Sequence, residues 1–285
     1  MPCCSTRCFY EGFEYSRNII YTGATQNHNS VPLAEYMFRH FGNRVLMIGS
    51  DYIYPYEVNR LMSDLLYEND GTKLGEYYLP MNAGRADFDK LMAKASKLQP
   101  SFIFSTIVGS SMRHLYEAYA NAGLNPGSMP IASLVTSETE IQQIGADLVT
   151  DHISAATYFQ SVDTPANQRS VAEYQARFGA HQVTDMCWDA AYFQVHLLAQ
   201  ALRNAQSEDV SDILQALRGM EFDACQGRIR VDADNHHCFL FSRIGKANAQ
   251  GQFDILQESR HNLKPDPYAI SPSLDGWSVS RERRL

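Results

Sequence analysis

The sequence predicts an α/β protein built on a parallel, doubly wound sheet with helices on both faces. Two observations predict it. Strand-like runs alternate with stretches of helical periodicity from residue 44 to residue 159, and several of those stretches close on Gly or Asn-Asp, as helix C-termini do. A third observation marks where this pattern stops: beyond residue 160 come helices in series, then short alternating runs. Residues 44–159 therefore read as one complete lobe.

The strands expected in order are "RVLMIG" (44–49), "GEYYLPM" (75–81), "SFIFST" (101–106), "PIASLVT" (130–136) and "HISAATYF" (152–159). Between them lie "EVNRLMSDLLYEND", "RADFDKLMAKASKLQ", "SMRHLYEAYANAG" and "SETEIQQIGAD", each with helical spacing of its apolar residues. The helices expected next are "NQRSVAEYQARFG", "DMCWDAAYFQVHLLAQALRNA" and "SDILQALRGM". The runs "GRIRVDA", "CFLFSRIGKANA" and "GQFDILQES", joined by the polar "DADNHH" and "NAQG", read as antiparallel hairpins. A Pro-containing stretch with Pro265, Pro267 and Pro272 ends the chain as an extended tail.

With 285 residues, 45% of them hydrophobic and 20% charged, the composition is that of a soluble globular protein with a sizeable core. The net charge of −8, with Lys and Arg concentrated only in the closing "SRERRL", argues against a nucleic-acid or anionic-membrane surface. No run approaches the roughly 18 apolar residues needed to cross a bilayer. The chain as written shows no export signal, so a cytoplasmic location is expected.

In an open α/β sheet, ligands bind outside the carboxyl ends of the strands. Those ends carry Ser50, Asp51, Tyr52 and Tyr54 after the first strand and Thr106 and Ser110 after the third. Thr136 and Ser137 follow the fourth, and Tyr158 and Gln160 the fifth. The rim is one of hydroxyls, aromatic faces and a single carboxylate. It suits a small neutral amide or urea, whose carbonyl and NH2 groups such side chains satisfy in both directions. Each residue also has a plainer reading. Asp51 is by type a helix cap, Ser137 and Glu140 form a capping box, Tyr52 and Tyr54 are equally rim packing, and Thr106 and Thr136 are equally strand ends.

Neither phosphate-binding glycine motif occurs, and no G-x-S-x-G or H-E-x-x-H motif supports catalysis, so no enzyme and no cofactor is expected. Cys3, Cys4 and Cys8 lack a C-x-x-C pair, and Cys187, Cys225 and Cys238 are scattered. The "NHHC" at 235–238 reads as a polar hairpin loop rather than a metal site.

Several stretches resemble one family. "FYEGFEYSRNIIYTGATQNHN", "RVLMIGSDYIYP", "YFQSVDTPAN", "DAAYFQVHLLAQAL" and "PDPY" with "LDGWS" look like the amide-sensing negative regulators of aliphatic amidase operons. These belong to a wider group of urea and short-chain amide binding proteins with the Leu/Ile/Val-binding-like, type I periplasmic-binding-protein fold. The likeness runs from about Tyr10 to Ser278, and the closing motif favours the regulator branch. It implies two α/β lobes joined by three crossovers that close on an amide, with ligand contacts from Tyr52 and Tyr54. Thr106 and the Thr136-Ser137 turn match corresponding strand-end motifs.

On that basis residues 1–27 are a remnant of the N-terminal lobe and crossover, and 28–155 the C-terminal α/β lobe. Residues 156–215 are the helical part of the N-terminal lobe, 216–262 hairpins completing the C-terminal lobe, and 263–285 the tail. The N-terminal lobe is thus expected to be incomplete and the chain N-terminally truncated, with residues 1–8 an out-of-frame translation. The surviving helices, about 166–205, would then expose an apolar face. The function expected first is a ligand-responsive negative regulator of amidase expression that acts through an RNA-binding antiterminator protein, with self-association left open. The alternative is the substrate-binding component of an ABC importer, which works with a permease and is periplasmic if a signal peptide precedes the chain. A small-amide hydrolase is the weaker alternative.

Overall fold

The computed structural model describes residues 3–5, 12, 16–268 and 279–282. Strand β1 (Cys3–Ser5) pairs in parallel with β2 (Ile19–Tyr21). The remainder of residues 1–8 lies outside the described residues, as does "LDGWS". A buried crossover at 22–25 leads into α1 (Gln26–His40), a helix the sequence pattern hides because Pro32 sits inside it and removes one backbone donor. Burial of Leu33, Ala34 and Met37 keeps it helical.

The five expected parallel strands form. They are β3 (Arg44–Ser50), β4 (Thr72–Leu79), β5 (Phe102–Thr106), β6 (Ile131–Ser133) and β7 (Ile153–Ala156), laid out as β4-β3-β5-β6-β7. Every residue of β3 after Arg44 is buried, as expected of a strand covered on both faces. The helices between them are α2 (Ile53–Glu68), α3 (Arg85–Leu98), α4 (Ser111–Asn121) and the short pair α5 (Glu138–Ile144) and α6 (Ala146–Val149). Buried Phe88, Leu91, Met92 and Ala95 show how the periodic spacing puts one face of α3 on the sheet. The chain reverses its direction across the sheet after β4. Helix α2 packs on α1, and α3 to α6 pack on one another, the two-faced arrangement that right-handed crossovers require.

Strand β6 is shorter than its apolar run. The Ser133 hydroxyl accepts the N–H groups of Val135 and Thr136, both at 3.1 Å, and turns the chain early.

After β7 come α7 (Pro165–Phe178), α8 (Met186–Ala205) and α9 (Val210–Leu217). Val195 and Leu202 on α8 and Phe178 on α7 are exposed. Strands β8 (Glu221–Ala224), β9 (Gly227–Val231) and β10 (Cys238–Phe239) form a separate antiparallel sheet against α7 and α8. Strands β11 (Arg243–Ala247), β12 (Phe253–Ser259) and β13 (Val279–Glu282) then extend the large sheet, β11 antiparallel to β7 and each of the next two antiparallel to the one before.

Two expectations change here. Of the segment 216–262, only β11 and β12 join the large sheet, whereas β8 to β10 form the separate one. The run "CFLFSRIGKANA" is not one strand, because Leu240 pairs with Leu263 and the chain crosses between sheets before the buried Arg243. The "NHHC" stretch does close a hairpin, between β9 and β10. His236 and His237 are buried, and His237 stacks on Tyr21 with ring centres 4.3 Å apart. The tail is anchored at both described ends. Asn27 donates to the Lys264 carbonyl at 2.8 Å and accepts the Asp266 N–H at 2.9 Å, and β13 pairs with β12.

At Gly49 the sheet and α2 meet closely. A Cβ there would lie 2.8 Å from Pro55 Cβ and from Thr106 Oγ1, and 3.0 Å from the Tyr78 ring. Gly49→Ala is expected to lower unfolding free energy by about 1–3 kcal/mol, read as a reduced urea midpoint. An unchanged midpoint would show that these neighbours yield freely.

Candidate functional site

Parallel pairing in register brings the carboxyl ends of β3, β5, β6 and β7 to one edge. Gly49 pairs with Thr106, and Ser105, Ser133 and Ser154 stand side by side across three strands. The direction of winding reverses between β3 and β5, the place where open α/β sheets leave a crevice. The serines shape the strand ends. Ser50 Oγ accepts the Val108 N–H at 3.1 Å, and Ser154 Oγ donates to the Thr136 carbonyl at 2.7 Å.

The seven candidate residues fall into two groups. Tyr54, Thr106, Thr136, Ser137 and Tyr158 are buried, whereas Asp51 is exposed and Tyr52 half-buried. The Thr106 hydroxyl donates to Asn59 Oδ1 at 3.2 Å. The Thr136 hydroxyl donates to Ser133 Oγ at 2.9 Å and lies 3.0 Å from Tyr116 Oη. Tyr158 Oη donates to Asn167 Oδ1 and lies equally close to Thr184 Oγ1, both at 2.7 Å. Burial holds the Tyr116 and Tyr158 phenols well above their ordinary pKa, so both stay neutral.

The turn after β3 differs from either sequence reading. Tyr52, not Asp51, is the N-cap of α2, and Tyr54 already lies in its first turn, so the two do not share one side of an extended segment. Their ring centres are 6.3 Å apart. Asp51 instead accepts the Tyr56 hydroxyl at 2.7 Å. Tyr56 stacks on Tyr78 with centres 3.9 Å apart, and Tyr78 Oη donates to Glu76 at 2.5 Å. Burial, then the bond to Glu76, raises the Tyr78 pKa.

At the other end of the edge, Ser137 and Glu140 do form the capping box, the Ser137 N–H reaching Glu140 Oε2 at 3.0 Å. One of the two residues between them, Glu138, is fully buried, and its Oε1 accepts the Gln160 N–H at 2.7 Å. Gln160 in turn accepts the Thr184 N–H at 2.7 Å. Asp185, which caps α8, takes the Thr139 hydroxyl at 2.6 Å. Through these bonds the start of α5 is tied to the start of α8. Burial raises the Glu138 pKa to about 8 against the pull of backbone N–H groups, with the Asp185 and Glu140 carboxylates adding to the rise.

Sequence reasoning missed Glu138, Asp185, Tyr56 and Tyr78. Tyr56 was within reach of it, since residue N4 of a helix regularly folds back on N′, here Asp51. A cavity of about 140 Å³ lies beside this edge, lined in part by Ser110, Arg113 and Glu140. A larger concavity of about 530 Å³ lies elsewhere, between Arg17 and α9. Among the described residues no group of three or more His, Cys, Asp or Glu is placed to hold a metal ion, and no helix is long and apolar enough to cross a membrane.

A family model described as a periplasmic binding protein domain matches residues 7–273. The chain belongs to this family. Solved structures of solute-binding proteins share the fold of this periplasmic binding protein. One, from an ABC transporter of Rhodopseudomonas palustris BisB5 in complex with 3,4-dihydroxybenzoic acid, has a TM-score of 0.77 at 18% identity, covering 87% of this chain and 69% of that one. A second R. palustris solute-binding protein, in complex with benzoate, gives 0.79 at 14% identity, covering 93% and 72%. The leucine-, isoleucine-, valine-, threonine- and alanine-binding protein of Brucella ovis gives 0.75 at 16%, covering 90% and 68%. At such identities the likeness shows the fold, and it is the type I periplasmic-binding-protein fold expected from the sequence. A curated relative, limonene hydroxylase of Geobacillus stearothermophilus, is 30% identical over 132 residues, 46% of this chain, and the chain spans 24% of its length.

The buried acid of this periplasmic binding protein has a measurable signature. The Glu138 carboxyl titrates near pH 4.5 when exposed and near 8 in the native state, so across that window the folded chain binds the extra proton. Its contribution to stability is fullest below the lower value and is lost as pH rises through the upper one. Denaturant midpoints are expected to fall more steeply between these values in the wild type than in Glu138→Gln. Parallel profiles would show that Glu138 is ionised in the folded protein.

Proposed function

We propose that this chain captures a short-chain aliphatic amide or urea as the solute-binding component of an ABC importer. The observation that carries the reading is the chemistry of the strand-end rim on a periplasmic-binding-protein fold. The seven candidate residues supply hydroxyls, tyrosine rings and one carboxylate and none is cationic, while Arg113 in the cavity beside them is paired with Glu117. A carboxylate ligand such as the benzoates named with the R. palustris proteins would meet Asp51 without a partner charge, whereas an amide offers it an N–H. Tyr52 and Asp51 are the contacts open to ligand as the chain stands. Tyr54, Thr106, Thr136, Ser137 and Tyr158 form the layer that shapes the rim, and reach ligand only with movement at the strand ends.

Binding biases an open–closed equilibrium, and the ties from Glu138 and Thr139 to Gln160 and Asp185 lie where closure would be felt. The regulator reading shares this binding step and differs in its partner, an antiterminator in place of a permease. Family membership and the solute-binding neighbours support the importer better, and with it a periplasmic rather than cytoplasmic location. No hydrolytic step is assigned.

Calorimetric titration with acetamide, butyramide and urea tests the reading, with 4-hydroxybenzoate and leucine as competitors. Saturable heat is expected from at least one of the first three and none from 4-hydroxybenzoate. Binding of a competitor with no heat from any amide would overturn it, and ammonia release during the titration would replace the receptor with a hydrolase.

A further inference from the structure

We propose that Tyr56 is a positioning residue that makes this edge selective for ligands carrying N–H groups, an inference that rests on the amide reading above. The exposed Asp51 would by itself sample many orientations. Two contacts fix it. Its N–H donates to the Leu79 carbonyl at 2.7 Å, tying its backbone to the end of β4, and its Oδ1 accepts the Tyr56 hydroxyl at 2.7 Å. The second carboxylate oxygen makes no hydrogen bond among the described residues and is left to accept from a ligand.

Tyr56 is itself held. Although 41% exposed, its ring lies on Tyr78, 3.9 Å between centres with a 25° tilt. The Tyr78 hydroxyl is fixed on Glu76 at 2.5 Å, and Glu76 pairs with Lys73 at 2.6 Å. A chain of contacts thus runs from β4 through two stacked phenols to one carboxylate oxygen. That order sets the plane of the Asp51 carboxylate beside Tyr52, at the carboxyl end of β3 on the side of β4. A primary amide or urea supplies the donor this oxygen lacks, and an N,N-dialkyl amide cannot.

The test compares acetamide with N,N-dimethylacetamide by calorimetry in the wild type, Tyr56→Phe and Asp51→Asn. Wild type is expected to favour acetamide. Tyr56→Phe keeps the stacked ring and removes the hydroxyl. It should weaken acetamide binding about 5- to 10-fold, leave dimethylacetamide binding unchanged and leave the thermal midpoint within error. Asp51→Asn should narrow the preference in the same direction. If wild type binds acetamide and Tyr56→Phe keeps the wild-type preference, the inference fails while the amide reading stands. If wild type binds neither of these two amides the inference fails, and the amide reading fails with it only if butyramide and urea also give no heat.

Discussion

One buried guanidinium sets the terms for the junction between the two sheets. Arg243 on β11 is only 1% exposed, and a charge so placed is strongly destabilising unless its donors are met. It donates to the Thr157 carbonyl just past β7 and to the Gln226 carbonyl in the β8–β9 turn at 2.7 Å, and it pairs with Glu258 on β12. Asp189 on α8, also fully buried, adds a nearby negative charge and accepts the Gln226 amide at 2.6 Å. Burial raises the Asp189 pKa to about 6, while the Gln226 bond and the Arg243 charge pull the other way. The compensation of this cation therefore requires the small sheet, the large sheet and α8 to be in place together.

That requirement explains the packing around it. Two residues along β11, a Cβ on Gly245 would lie 2.8 Å from the Phe159 ring, and Phe159 stacks on Phe253 with centres 4.5 Å apart. The crossover after β7 is thus gripped by aromatic packing on one side and by Arg243 on the other. Tyr158 lies between them, hydrogen-bonded to Asn167 and close to Thr184, which explains why a residue at a strand end is wholly buried. The rim is buried at this end and becomes solvent-facing towards Asp51 and Tyr56.

Much of this was legible in the sequence, and the losses have identifiable causes. The five parallel strands stood out because burial on both faces leaves apolar runs that polar helices interrupt. Helix α1 did not, since Pro32 breaks the local pattern that tertiary burial overrides. The separation of β8–β10 from β11–β12 was invisible because both read as alternating hairpins, and only the partners of Arg243 decide where the chain changes sheet. In the site, residue types at strand ends were readable from strand order alone. Their burial was not: "SETE" alternates two hydroxyls with two acids, and nothing local says that Glu138 turns inward while Glu140 caps. Tyr56 was overlooked because nothing local shows that the helix begins between Tyr52 and Tyr54, which puts Tyr56 one turn above Asp51.

The pairing of β7 with β11 also bears on how the chain must be made. Strand β7 ends at Ala156, and its neighbour begins only at Arg243. A ribosome working at about 5–20 residues per second needs on the order of ten seconds to supply the strand that covers this edge. Throughout that interval the parallel sheet presents an open row of backbone donors and acceptors, a template for pairing with a neighbouring nascent chain. Keeping β7 to four residues limits that template.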